Sequence, residues 1–224
     1  MRPHFLILET SHRVGKVALA SAETIVGERT LDESRRHARD LAPAIRELLT
    51  VQGWRAADLD GVIVSRGPGS YTGLRVGIMS AKTLAFATGC ALLAIDTFDA
   101  IRLQAPAEHR NVDVIADAQQ DKIYVQRYGS FPEPLTILPL GMWLESALAW
   151  HVVVTGPGLE SFAARLPAAL TLAPREQWLP QPASLLTLGL ARFRMGERDQ
   201  PFTVEPLYLR ASSAEEKWEK LHPA

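Results

Sequence analysis

The order of apolar runs along the chain restricts its fold more than any single motif. Residues 5–8 are continuously apolar and of strand length, the pattern of a strand covered on both faces. The run ends at the polar Glu9-Thr10-Ser11, and further strand patterns over 15–20 and 23–29 follow so closely that an antiparallel meander is predicted. Residues 34–50 then show a helical period, with Asp32 and Ser34 as N-cap candidates. A buried strand over 62–64, a helix over 71–87 stopped by Gly89, a strand over 92–95 and a helix begun by Asp96 or Thr97 complete the first half. After the polar, proline-bearing stretch 106–110, the series begins again. Strand patterns occur over 112–116, 122–128 and 135–140, then a helix over 142–149, a strand over 152–154, a turn at Gly156-Pro157-Gly158 into another helix, and a last clear helix over 184–195. Both halves thus read strand, strand, strand, helix, strand, helix. The expected fold is α/β with two similar lobes, mixed sheets flanked by helices, divided at 1–106 and 107–224.

Composition restricts the function. The net charge is −1, whereas a protein that holds RNA alone needs a marked basic excess to neutralise phosphates. Strong autonomous RNA binding is therefore not expected. A single cysteine, Cys90, rules out an intrachain disulfide and fits a reducing compartment. The most apolar long stretch, 74–93, is interrupted by Arg75, Lys82 and two glycines, a poor membrane span, and no secretory signal is evident. A cytoplasmic location without membrane attachment is expected.

The stretch Ser65-Arg66-Gly67-Pro68-Gly69-Ser70-Tyr71-Thr72-Gly73-Leu74-Arg75-Val76-Gly77 lies between a strand and a helix, where glycines and a helix N-terminus favour an anion. It lacks the Lys-Ser/Thr of a P-loop and the spacing of a dinucleotide fingerprint. The helix that follows is more informative. From Tyr71 to Gly89 it carries only two charges, Arg75 and Lys82, so burial nearly all round is predicted. Gly73, Gly77 and Ala81 recur every four residues, a spacing that lets a second helix approach closely. With the wide apolar face of the preceding helix, this predicts a helix-pair docking site.

These residues closely resemble the most distinctive stretch of the TsaB (YeaZ) family, G-P-G-S-[FY]-T-G-[LV]-R-[IV]-G. Supporting likenesses lie in Leu8-Glu9-Thr10-Ser11, in His37–Pro43 with its H-x-x-x-L-x-P pattern, in Asp117–Tyr124 and in Pro206-Leu207-Tyr208-Leu209-Arg210. The resemblance spans nearly the whole chain. It implies a two-lobed actin-like (ASKHA, RNase H-like) fold and a non-catalytic subunit of the bacterial machinery that makes threonylcarbamoyladenosine in tRNA. The implied partners are the catalytic paralogue TsaD and TsaE, with a homodimer when the chain is alone and tRNA reached only through the complex. The resemblance implies binding through helices of the first lobe, and the candidate contact residues on those helices are His37, Leu41, Ile45, Gly73, Arg75, Gly77, Ile78 and Lys82.

The start, Glu9-Thr10-Ser11, is closer to TsaD than to the usual I-D-T-S of the family, so a catalytic reading requires a test. The metal-binding H-x-x-x-H of TsaD is absent, since His37 is followed four residues later by Leu41. No metal site and no catalytic residue are expected. Glu9, Ser11, Gly67, Gly69 and Asp117 mark a vestigial nucleotide cleft, but neither Glu9 nor Asp117 is followed by a glycine-rich phosphate turn. The isolated chain is expected to hold no cofactor, which leaves a nucleotide at a shared interface open. The rival reading, a stand-alone actin-like ATPase or small-molecule kinase, requires those missing turns.

Overall fold

A computed structural model describes residues 2–31, 37–106, 108–130, 132–209 and 218, with only the backbone at 37 and 38. The first sheet holds β1 (His4–Glu9), β2 (Lys16–Ser21), β3 (Thr24–Thr30), β4 (Gly61–Gly67) and β5 (Ala91–Asp96) in the order β3-β2-β1-β4-β5. The meander β1–β2–β3 is antiparallel, and β1, β4 and β5 run parallel. The second sheet holds β6 (Val112–Asp117), β7 (Lys122–Tyr128), β8 (Glu133–Pro139), β9 (Val153–Thr155) and β10 (Thr171–Leu172) in the order β10-β9-β6-β7-β8. Its pairings have the same directions, so the two sheets share one topology: meander first, parallel strands after.

The central strands are apolar throughout because both faces are covered. On one face of the first sheet, Leu6, Leu8, Val62 and Val64 pack with Leu41, Ile45 and Leu48 of α1 (His37–Gln52) and Ile78 and Ala81 of α2 (Tyr71–Thr88). On the other face, Phe5, Ile7 and Ile63 pack with Leu185, Leu186 and Leu190 of α6 (Pro182–Arg194). Successive side chains of a strand point to opposite faces, and the alternation within Phe5–Leu8 follows that rule. In the second sheet, Ile115, Ile123 and Val154 pack with Trp143 of α4 (Leu140–Trp150) and Phe162 of α5 (Leu159–Phe162). The short α3 (Thr97–Arg102) bridges the two bodies: Phe98 and Ile101 pack with Val112 and Val114, whereas Ala100 joins the core under the first sheet.

The expected helices and strands are present, with ends shifted by a few residues. The cap candidates Asp32 and Ser34 and most of the tail beyond 209 lie outside the described residues. The expected division at 106/107 falls in the connection from α3 to β6. The chain does not stay on the second sheet afterwards, because α6 returns to the first one. Helix α6 follows the second sheet in the chain, but its apolar residues match the open face of the first.

The second sheet contains a buried charge that the strand pattern hid. Asp113 is fully buried on β6. Its carboxylate accepts from Arg127 Nε and Nη2 of β7, each at 2.8 Å, and from Trp143 Nε1 of α4 at 2.8 Å. The bidentate pair fixes how β6, β7 and α4 meet.

Candidate functional site

Helix α2 starts at Ser70, whose hydroxyl accepts from the Gly73 amide at 3.3 Å, and ends at Gly89 in the left-handed conformation. Gly73 and Gly77 face the end of β1. A methyl group built on Gly73 would overlap the Thr10 carbonyl oxygen, and one on Gly77 would overlap Thr10 Oγ1. The four-residue glycine spacing is therefore filled from within the chain. This corrects the expectation of a notch for a partner helix: the close approach is strand end to helix, because α2 must lie low over the loop that leaves β1. Gly69 lies against the Ser11 carbonyl, which accepts from the Ser70 amide at 2.6 Å, and Gly67 lies against Leu74 and Leu207.

Five other expected contact residues also point inward or are already engaged. Leu41, Ile45 and Ile78 are buried in the core beneath the helices, because they are the residues that attach α1 and α2 to the sheet. Lys82 donates to the Val204 carbonyl at 2.9 Å. Arg75 is exposed, bonds Tyr71, and donates through Nε to Tyr208 Oη at 3.0 Å. His37 opens α1, and its side chain lies outside the described residues.

The apolar surface left exposed by α2 is a different stripe. Met79 is 58% and Phe86 70% exposed, with Thr72, Thr83 and Ala87 also exposed on that helix. Phe202, 79% exposed, sets its ring edge-on to Phe86 at 5.6 Å. On α1 the exposed residues include Ala42, Pro43 and Val51. Sequence periodicity located these helices but assigned the outward face to the small residues. Solvent-facing Met79 and Phe86 break the usual pattern of a surface helix and were the available signal.

The candidate cleft residues divide between the two sheets. Glu9, Ser11, Gly67 and Gly69 lie at the end of the first sheet, Glu9 and Ser11 on either side of Thr10, Gly69 against Ser11 and Gly67 against Leu74 and Leu207. Asp117 ends β6 in the second, where its exposed carboxylate accepts locally from the Gln119 amide at 2.7 Å. Glu9 is 1% exposed. One carboxylate oxygen accepts from both the amide of Ser11, at 2.6 Å, and its hydroxyl. The donors that an incoming anion would need at this turn are thus already satisfied by an internal carboxylate. The other Glu9 oxygen is buried with no hydrogen-bond partner among the described residues. Burial pushes the Glu9 carboxyl up to about 7, with the Ser11 bonds opposing the rise.

A pH-dependence follows. The folded pKa lies above the ordinary value of 4.5, so this group favours folding most at low pH. That contribution falls away as pH rises through about 7. The difference amounts to about 3 kcal/mol. Glu9→Gln keeps an acceptor for Ser11 and removes the buried charge. Urea unfolding at about pH 5 and about pH 8 should show the variant gaining on the native chain at the higher pH. Parallel behaviour of the two proteins would contradict a raised carboxyl.

Two mixed sheets of identical topology, each flanked by helices, with an acidic residue closing the first strand of each, define an actin-like protein. The sequence model of the family described as TsaD, tRNA N6-adenosine threonylcarbamoyltransferase, matches residues 25–139, slightly more than half of the chain. The tRNA threonylcarbamoyladenosine biosynthesis protein TsaB of Bacillus subtilis is 26% identical over 225 residues, covering 95% of this chain and 96% of its own. An uncharacterized protein of Mycobacterium tuberculosis is 32% identical over 191 residues, covering 85% and 82%. The solved structure of YeaZ from Pseudomonas aeruginosa superposes with a TM-score of 0.75 at 25% identity, covering 92% of this chain and all of that one. The chain belongs to the TsaB (YeaZ) family, within the wider group that the TsaD sequence model describes. The role of that family is tRNA threonylcarbamoyladenosine biosynthesis. Among the described residues no helix is long and apolar enough to cross a membrane.

Proposed function

We propose that this chain is a non-catalytic subunit that binds a TsaD-type threonylcarbamoyltransferase through the outer face of α1 and α2. The observation that carries the reading is the exposed Met79–Phe86 stripe on a helix whose opposite side is fully used by its own sheet. An apolar stripe of this kind is stabilised by a partner's apolar helix face. The closed turn at Glu9 favours a supporting role over independent nucleotide chemistry, since its donors are satisfied internally. On this reading the first lobe, built from 1–106 with α6 and residues 199–208 packed back on it, carries the partner face, and the second sheet with its helices forms the smaller lobe. TsaE joins the assembly, the chain pairs with itself through the same face when alone, and tRNA is reached through the complex in the cytoplasm.

The test is co-purification with TsaD and TsaE from the same source, followed by tRNA modification with and without this chain. Met79→Asp with Phe86→Asp should weaken the association at least tenfold, as loss of a central apolar anchor does. Both residues are exposed, so thermal stability should be nearly unchanged. Full association of that variant would sink the placement. Modification that proceeds equally well without the chain would sink the role.

A further inference from the structure

Residues 199–208 cross back over the first sheet and lie along α2, held at both ends and in the middle. Asp199 donates from its amide to Leu92 O at 2.8 Å, accepts from the Ala94 amide at 2.7 Å and is gripped by Arg192 of α6 through two bonds of 3.1 Å. Lys82 holds the Val204 carbonyl in the middle. At the far end the Leu207 amide donates to Arg66 O at 2.8 Å. The Tyr208 ring lies 4.8 Å from that of Tyr71, with Arg75 donating to its hydroxyl. Both charges of α2 are thus directed at this strap. Between its anchors the strap displays Phe202 beside Phe86, an exposed ring held next to an exposed ring. The anchors impose the pairing.

We propose that this strap is the specificity-determining edge of the partner face, with Lys82 and Arg75 acting as positioning residues that place Phe202 rather than as partner contacts. The proposal rests on the reading of α2 as the docking helix. Its occupant is the TsaD-type partner, which would have to present an apolar side chain to the Phe86–Phe202 edge in addition to the Met79 stripe. The stripe alone would accept any apolar helix. The added ring, fixed at a set distance along the helix, selects one whose anchors match both. Arg75 and Lys82 lie 133 and 122 residues from the strap groups they hold, which is why the sequence assigns them to a partner and not to the strap.

The test is a double-mutant cycle on partner affinity in the full chain. Phe202→Ala should weaken binding about tenfold, the loss of one interfacial ring. Lys82→Met should weaken it similarly, and the double variant should lose no more than either alone. Lys82→Arg, which can still donate to the Val204 carbonyl, should restore most of the affinity. Additive losses would make Lys82 a direct contact and overturn the positioning role, and an unaffected Phe202→Ala would remove the strap from the interface. Hydrogen exchange of the Leu207 amide separates this from the docking reading. It should be protected in the free chain and less so after Lys82→Met. A native chain that fails to bind the partner while that amide stays protected refutes the docking reading. Free exchange of the amide refutes the strap itself.

Discussion

Replacing Arg127 by methionine is expected to destabilise the protein by about 3–5 kcal/mol, the cost of leaving a buried charge without its partner. Asp113 is completely buried and has no route to solvent. Arg127 supplies two of its three side-chain hydrogen bonds, and Trp143 supplies the other. The indole N–H cannot neutralise a carboxylate. The guanidinium also donates to Ser146 Oγ at 3.1 Å, so its loss loosens α4 as well. Adding Asp113→Leu should recover part of the loss, because apolar replacement of both members of a buried pair is often neutral. Recovery should be incomplete, since the Trp143 N–H is then left unsatisfied at a cost of about 1–3 kcal/mol. Urea midpoints at constant m-value measure all three proteins. A single variant as stable as the native chain would show that the pair contributes nothing to the second sheet.

Gly77→Ala is expected to cost about 3 kcal/mol or more, an overpacking penalty larger than the usual range because the added methyl overlaps Thr10 Oγ1 in a fully packed seam. Pairing it with Thr10→Ala removes the overlapping hydroxyl and should restore much of the stability. The corresponding rescue should fail for Gly73→Ala, where the methyl meets the Thr10 backbone carbonyl, which no side-chain change removes. The contrast between the two positions is the diagnostic result, read by thermal and urea unfolding. If Gly77→Ala folded with native stability but lost its partner, the glycine would belong to an external helix contact. This outcome also bears on partner-binding assays. Substitutions at Gly73 or Gly77 disturb the chain's own fold, so a loss of association there says nothing about the interface. Met79 and Phe86 are the informative positions, being exposed and apolar.

Most of the fold was legible in the sequence because its signals are local. Continuous apolar runs such as Phe5–Leu8 announce a strand covered on both sides, Gly89 stops α2 where an αL residue is needed, and the repeated element order anticipates two sheets of one topology. The motif from Gly67 to Gly77 led to the family and located the helix that faces outward. Its small residues could not say what they approach. A glycine spacing records that something lies close, and only the tertiary arrangement determines that it is Thr10 and not a second chain. Glu9 is a similar case: an acid at a strand end reads as polar and cleft-facing, and although its bonds to Ser11 are local, its burial is a property of the surrounding fold. The return of α6 and of residues 199–208 to the first sheet was invisible because it joins groups more than a hundred residues apart. Sequence thus determined the elements, their order and the family. Three-dimensional packing decided which face of α2 is internal, which charges are already bound, and where an apolar edge remains for a partner, because those properties belong to pairs of residues that no local pattern connects.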